Sequence, residues 1–305
     1  MNRNANNPSR SPRSPLYFAS GSNRSCEIRG FAAIGHAIGV AVSHLTNAAI
    51  DALCALAGTG LPVFVDSGAF SEIDFTANGP VVVNPITAAD WADRLAVYAT
   101  LADSLGSQLN VVAPDMVGNQ DVTLARLARY ADEMAAIAAT GATVLVPIQK
   151  GALSQVEFHA AVAAVLGDTA WTPALPCKKA ATTTDEIVAY CAAVQPARVH
   201  LLGLGITNSK AATVLARVAA VAPNTVVQLD SCAIRANVGW NNGRNGGPRR
   251  LTIAKEIVAR AGFAADETQE IAIGLVFGPG GDKVWDYQAE AVAIRAARKA
   301  AKAAA

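Results

Sequence analysis

The 305-residue chain is 52% hydrophobic and 16% charged, with a formal net charge of +1 at neutral pH. That balance describes a globular protein with ample core and does not by itself announce a nucleic-acid binder. No run of about 18 apolar residues occurs, so no membrane-spanning helix is expected.

In chain order, the first segment, MNRNANNPSRSPRSP, is polar, rich in Pro and Ser, and basic through Arg3, Arg10 and Arg13. It lacks an apolar signal core, so residues 1–15 read as a disordered basic tail ahead of one domain spanning 16–305. Short apolar runs then recur: LYFASG from Leu16, PVFVDSG from Pro62, LNVVAPD from Leu109 and TVLVPIQ from Thr143. They continue as WTPALP from Trp171, VHLLGLG from Val199, TVVQLD from Thr225 and EIAIGLVFG from Glu270. Uninterrupted apolar runs are what strands of a parallel sheet show when both faces are covered. WTPALP is the least secure of them, because proline removes a ladder donor.

Amphipathic segments lie between the runs. Thr87 and Asp90 form a capping-box pattern, and Trp91, Leu95, Tyr98, Ala102 and Leu105 share one helical face before Gly106. Leu124, Leu127, Ala131, Met134 and Ala138 make a stripe within a single helix predicted over 121–140. A further helix begins at Ser209 and stops at Pro223. Eight strand-like runs alternating with helices predict a single-domain α/β fold, the (β/α)8 TIM barrel. Five dispersed cysteines, Cys26, Cys54, Cys177, Cys191 and Cys232, suit free thiols in a reducing cytoplasm.

In such a barrel the active site gathers where the strands end. Asp66, Asp115 and Asp230 each close an apolar run, Gln149 closes another, and Gly203 and Gly205 close the VHLLGLG run. Each aspartate alone also fits a helix N-cap, since each opens a loop toward a helix. Together, carboxylates around one pocket suit glycosyl transfer, in which one acid attacks an anomeric carbon and another moves protons. Crowded like charges also push one pKa upward, which makes a usable acid or base.

These residues resemble the tRNA-guanine transglycosylase superfamily. DSGAF (Asp66 to Phe70) is similar to its DSGGF-type motif, and APDMVG (Ala113 to Gly118) to the segment holding its base-recognising Asp. PIQKG, GLG (Gly203, Leu204 and Gly205) and LDSCAIR resemble its VQG, glycine-turn and nucleophile segments, in the same order. The resemblance implies that Asp230 is the nucleophile and Asp66 the general base toward an incoming 7-deazaguanine. It implies that Ser67, Gly68, Phe70, Asp115, Gln149, Gly203, Leu204 and Gly205 bind the base, with Asp115 accepting from the ring N–H and exocyclic amine. No cofactor is implied, because one glycosidic bond replaces another.

The tRNA enzymes carry a CxCxxC motif and a downstream His as a structural zinc site after the nucleophile. Here no Cys or His follows Cys232, so no zinc-binding subdomain and no metal are expected. His36, His44, His159 and His200 all precede it and read as ordinary packing or loop residues. The phage-type DNA 7-deazaguanine transglycosylases are therefore the better match. They imply guanine exchange in DNA as a shield against restriction, with DNA and a free 7-deazaguanine base as partners and no membrane. The oligomeric state stays open. Lys178, Lys179, Arg235, Arg244, Arg249 and Arg250 are the expected nucleic-acid contacts. The competing readings are tRNA exchange, a non-catalytic binding subunit, and a small-molecule barrel lyase or aldolase using Lys150 or Lys178.

Overall fold

Side chains of alternate parity on eight strands sort into two separate apolar clusters, one inside a closed barrel and one between the barrel and its helices. The structure is a computed structural model that describes residues 15–33, 35–76, 79–178, 181–205 and 209–232. Its barrel strands are β1 (Leu16–Ala19), β2 (Ile38–Ala41), β3 (Val63–Asp66), β6 (Leu109–Val112), β7 (Thr143–Pro147), β8 (Trp171–Pro176), β9 (Arg198–Leu202) and β10 (Val226–Ser231). They pair in parallel in chain order, and β10 closes onto β1 with Phe18 opposite Asp230. A two-stranded antiparallel hairpin, β4 (Ile73–Thr76) and β5 (Gly79–Val82), is inserted after β3. The expected (β/α)8 barrel is therefore the observed fold.

One strand differs from the expectation. Ile38–Ala41 is a barrel strand with no counterpart among the predicted runs, and EIAIGLVFG lies outside the described residues. IGVA is short and carries a glycine, which weakens any strand signal. The glycine has a steric reason. A Cβ at Gly39 would lie 2.2 Å from Ser20 Oγ and 2.8 Å from Ser20 Cα. WTPALP is a six-residue strand, and pairing continues around its prolines, since Ile148 N–H donates to the Ala174 carbonyl and Cys177 N–H to the Leu202 carbonyl.

The helices follow their caps. They are α1 (Ser25–Ala33), α2 (Asn47–Cys54), α3 (Ala88–Leu105), α4 (Gln120–Arg129), α5 (Ala131–Ala139), α6 (Gln155–Leu166), α7 (Thr184–Val194) and α8 (Ser209–Val221). Capping boxes at Thr87/Asp90, Ser154/Glu157 and Thr183/Glu186 open α3, α6 and α7. Each cap stabilises its helix by about 1 kcal/mol. The Trp91, Leu95, Tyr98, Ala102 and Leu105 face of α3 is buried as predicted. The single helix expected over 121–140 is two, because Tyr130 leaves helical geometry at φ −113 and ψ 23. The buried face therefore shifts to Thr123, Leu127, Met134 and Ile137.

Gly39→Ala forces Ser20 and its backbone aside. Overpacking of this kind destabilises by roughly 1–3 kcal/mol, and urea unfolding should register a loss of that size.

Candidate active site at the C-terminal mouth of the barrel

Strand β3 runs into DSGAF because that turn has to aim one carboxylate and position a second. Gly68 adopts the left-handed region at φ 73, and its N–H donates to Asp66 Oδ1 at 2.7 Å. A Cβ there would lie 2.7 Å from Ser43 Oγ, so glycine is required on both counts. Arg94 of α3 holds the turn from beneath, its Nη1 donating to the Ser67 carbonyl at 2.6 Å.

Ser67 faces the second acid, donating from Oγ to Asp115 Oδ1 at 2.8 Å, while Gln149 Nε2 donates to Asp115 Oδ2 at 2.9 Å. Gln149 is itself held, since its Oε1 accepts from Gly118 N–H at 2.9 Å. Gln120 clamps the same loop by donating to the Gln149 and Leu153 carbonyls at 2.9 and 3.0 Å. Arg126 of α4 grips Glu72 in a two-pronged pair, at 2.6 and 2.5 Å, and also donates to the Asp115 carbonyl. The loop after β3 and the loop after β6 are thus tied together under the two acids.

The third acid, Asp230, ends β10 and is buried. Its Oδ1 accepts from Gly203 N–H at 2.6 Å and faces His200 Nε2 at 3.2 Å, while Oδ2 accepts from Ser20 Oγ at 2.9 Å. Asp66 and Asp230 stand at the tips of strands separated by β1 and β2, close enough that the charge of Asp230 raises the pKa of Asp66.

The environments drive the three carboxyls apart. Burial raises Asp66, and the Asp230 charge adds to that, against the Gly68 N–H and the charges of Lys178 and His200. Burial pushes Asp115 up to about 7 despite the Ser67 hydrogen bond and the Arg126 charge. Burial alone would raise Asp230 as well, but the hydrogen bonds and charge from His200, Gly203 and Ser20 outweigh it and hold the group below its ordinary value. One acid is held below its ordinary value while the other two are raised above theirs, Asp115 to about 7.

Sequence expectation and geometry agree in bringing Asp66, Ser67, Gly68, Asp115, Gln149 and Gly203 together with Asp230. Phe70 is 45% exposed at the rim, with Lys178 Nζ 4.9 Å above its ring centre. Gly203 N–H donates to Asp230, and Leu204 N–H to the Leu201 carbonyl at 3.4 Å. One expectation changes. His200 is not an ordinary packing residue, because it contacts the Asp230 carboxylate directly. His159 does pack as expected, against Trp171 and the Tyr190 hydroxyl. Of the two lysines considered for Schiff-base chemistry, Lys150 pairs with Glu186 at 2.7 Å. Lys179, Arg235, Arg244, Arg249 and Arg250 lie outside the described residues.

Sequence reasoning also missed Ser20, Glu72, Arg94 and Arg126. Ser20 follows the first apolar run as the aspartates follow theirs, which is a usable signal. Glu72 and Arg126 are 54 residues apart and carry none. Among the described residues, no cluster of three or more His, Cys, Asp or Glu is arranged to hold a metal ion, and no helix is long and apolar enough to cross a membrane.

No family model and no curated protein matches this chain. A solved structure that resembles it comes from Coccidioides immitis and is provisionally described as a fructose-1,6-biphosphate aldolase. The two share 11% identity over 89% of this chain and 91% of the other, with a TM-score of 0.46. A likeness at that level carries no argument about chemistry, and the barrel assignment rests on the strand pairings themselves.

Because Asp115 binds its proton more tightly when folded, it favours the native state at low pH. That contribution is full below pH about 4 and is lost as pH rises through about 7. Thermal unfolding followed across this window should show Tm falling with pH, and Asp115→Asn should flatten the fall.

Proposed function

We propose that the protein is a DNA-guanine transglycosylase that exchanges guanine for a 7-deazaguanine such as 7-cyano-7-deazaguanine. The observation that carries this reading is the meeting of buried carboxyls at one barrel mouth, with Asp230 held below its ordinary pKa by its donors, Asp66 raised above its own, and Asp115 locked by Ser67 and Gln149.

In the first half-reaction a lone pair of the Asp230 carboxylate forms a bond to the sugar C1′. The C1′–N9 bond breaks, its electron pair moves to N9 of guanine, and the Asp66 carboxylic acid supplies a proton there. In the second half the Asp66 carboxylate takes the N9 proton of the incoming base. The N9 pair then forms the new bond to C1′, and the C1′–O bond returns its electrons to Asp230. Two inversions give net retention.

Asp115 suits the pairing edge of the base. Ser67 and Gln149 fill one acceptor position on each of its oxygens, leaving the others for a ring N–H and an exocyclic amine. Gln149 keeps one amide hydrogen for the base carbonyl. DNA is favoured over tRNA because residues 233–305 contain no Cys or His, so the CxCxxC and His ligands of the tRNA enzymes' zinc site are not among them. The target guanine has to leave the stack to reach the acids, and exposed Lys178 at the rim is placed to meet a phosphate.

Incubation with labelled 7-cyano-7-deazaguanine and, in separate reactions, duplex DNA, single-stranded DNA and tRNA tests this reading. Label should enter DNA; label entering tRNA alone refutes the DNA assignment. Lysine trapping by borohydride with a keto substrate would favour an aldolase in its place. Asp230→Asn should lower exchange by roughly 10⁴-fold or more. Asp115→Asn should raise KM for the base by about 10- to 100-fold with little change in kcat, as loss of charged hydrogen bonds predicts. Wild-type KM should also rise as pH falls below about 7, because protonated Asp115 offers fewer acceptors.

A further inference from the structure

His200 on β9 is fully buried in the barrel's interior, where apolar side chains ordinarily fill the space. Its ring lies 4.7 Å from Phe64 at an interplanar angle of 12°, and 5.9 Å from Phe18 at 30°. The two phenyl rings, themselves 5.6 Å apart, pack against the imidazole, and its ring-edge nitrogens make the polar contacts. Nε2 faces Asp230 Oδ1 at 3.2 Å, and Nδ1 faces the Gln228 side-chain amide at 3.4 Å. Gln228 in turn donates to Asn110 Oδ1 at 3.3 Å, and Asn110 donates to the Val63 carbonyl at 3.2 Å. Inward positions on β9, β10 and β6 thus form one polar row across the barrel, ending at the carboxylate of Asp230.

An ionised carboxylate only accepts, so Nε2 carries the hydrogen of the Asp230 contact. Among the described residues Oδ1 therefore receives two donors, His200 and Gly203, whereas Oδ2 receives one, the Ser20 hydroxyl. A carboxylate oxygen has about two acceptor positions, so Oδ1 is filled and Oδ2 keeps one open.

Resting on the reading of Asp230 as the nucleophile, we propose that His200 is a positioning residue that fixes this carboxylate and leaves Oδ2 as the oxygen that attacks C1′. When the Oδ2–C1′ bond forms, Oδ1 becomes the ester carbonyl and keeps both donors. When the bond breaks in the second half, negative charge returns to the carboxylate against those preplaced donors. His200 thereby assists departure of Asp230 more than its attack, since a hydrogen bond that stabilises the anion also tempers its nucleophilicity.

The titratable groups facing this pair are Asp66 from β3, Tyr17 from β1, Cys177 and Lys178 after β8, and Cys232 after β10. Among the described residues the hydrogen bonds to Asp230 come from His200, Gly203 and Ser20, and none of these titratable groups stands in for His200.

The test compares wild-type protein with His200→Phe and His200→Gln. Carbon-13 NMR of labelled aspartate, with the Asp230 signal assigned by its loss in Asp230→Asn, reads the carboxyl directly. In His200→Phe it should titrate at higher pH than in wild type, and His200→Gln, which keeps an N–H donor, should recover part of the shift. Exchange kcat should fall by about 10- to 100-fold in His200→Phe, the weight of one hydrogen bond to a charged group, with covalent intermediate accumulating. Should His200→Phe fail to fold, His200→Gln carries the same comparison in smaller measure. An unmoved Asp230 titration, or a lower kcat without accumulated intermediate, overturns the proposal. Absence of exchange in wild type would instead refute the functional reading, and the titration would still decide whether His200 governs Asp230.

Discussion

A carboxylate buried at the tip of a barrel strand is stable only if donors replace the water it has lost, and that constraint organises this mouth. Asp230 meets it with the Gly203 N–H, the Ser20 hydroxyl and the His200 imidazole. Each donor has its own support. Gly39 leaves the space that Ser20 occupies, Gly203 turns at φ 72 where β9 ends, and Phe64 and Phe18 pack against His200. Removing a donor would leave a charge without compensation in a low-dielectric site, so the residues around Asp230 are coupled in function as well as in packing.

The same mouth treats its other acids differently. Burial, helped by the repulsion of Asp230, raises the pKa of Asp66 against its Gly68 backbone donor. Asp115 has two side-chain donors but is almost wholly enclosed, and titrates near 7. One residue type is thereby given three different electrostatic settings at one mouth. The separation comes from unequal burial and donor sets and needs no difference in chemical identity.

Much of this was legible in the chain. Asp66, Asp115 and Asp230 stand out because each interrupts an apolar run at its end, where a parallel barrel places its site. The Thr87 cap and the buried face of α3 follow from local spacing alone. What stayed hidden depends on contacts between distant segments. Ile38–Ala41 is too short and too marked by Gly39 to read as a strand, though it fills the long interval between LYFASG and PVFVDSG. Tyr130 breaks a helix whose apolar spacing continues through it. His200 sits in a run that reads as core on either face, and only strand parity in the closed barrel turns it inward toward Asp230. Glu72 and Arg126 meet only because the loops after β3 and β6 are neighbours in space.

The account turns on Asp230 forming a covalent bond to a nucleotide sugar. Mixing the protein with a guanine-containing single-stranded oligonucleotide, quenching in acid and mapping the adduct by peptide mass spectrometry tests that bond directly. The account predicts a sugar-linked adduct on Asp230. No adduct with either DNA or tRNA, or one carried by Lys178 or any other residue, would contradict it.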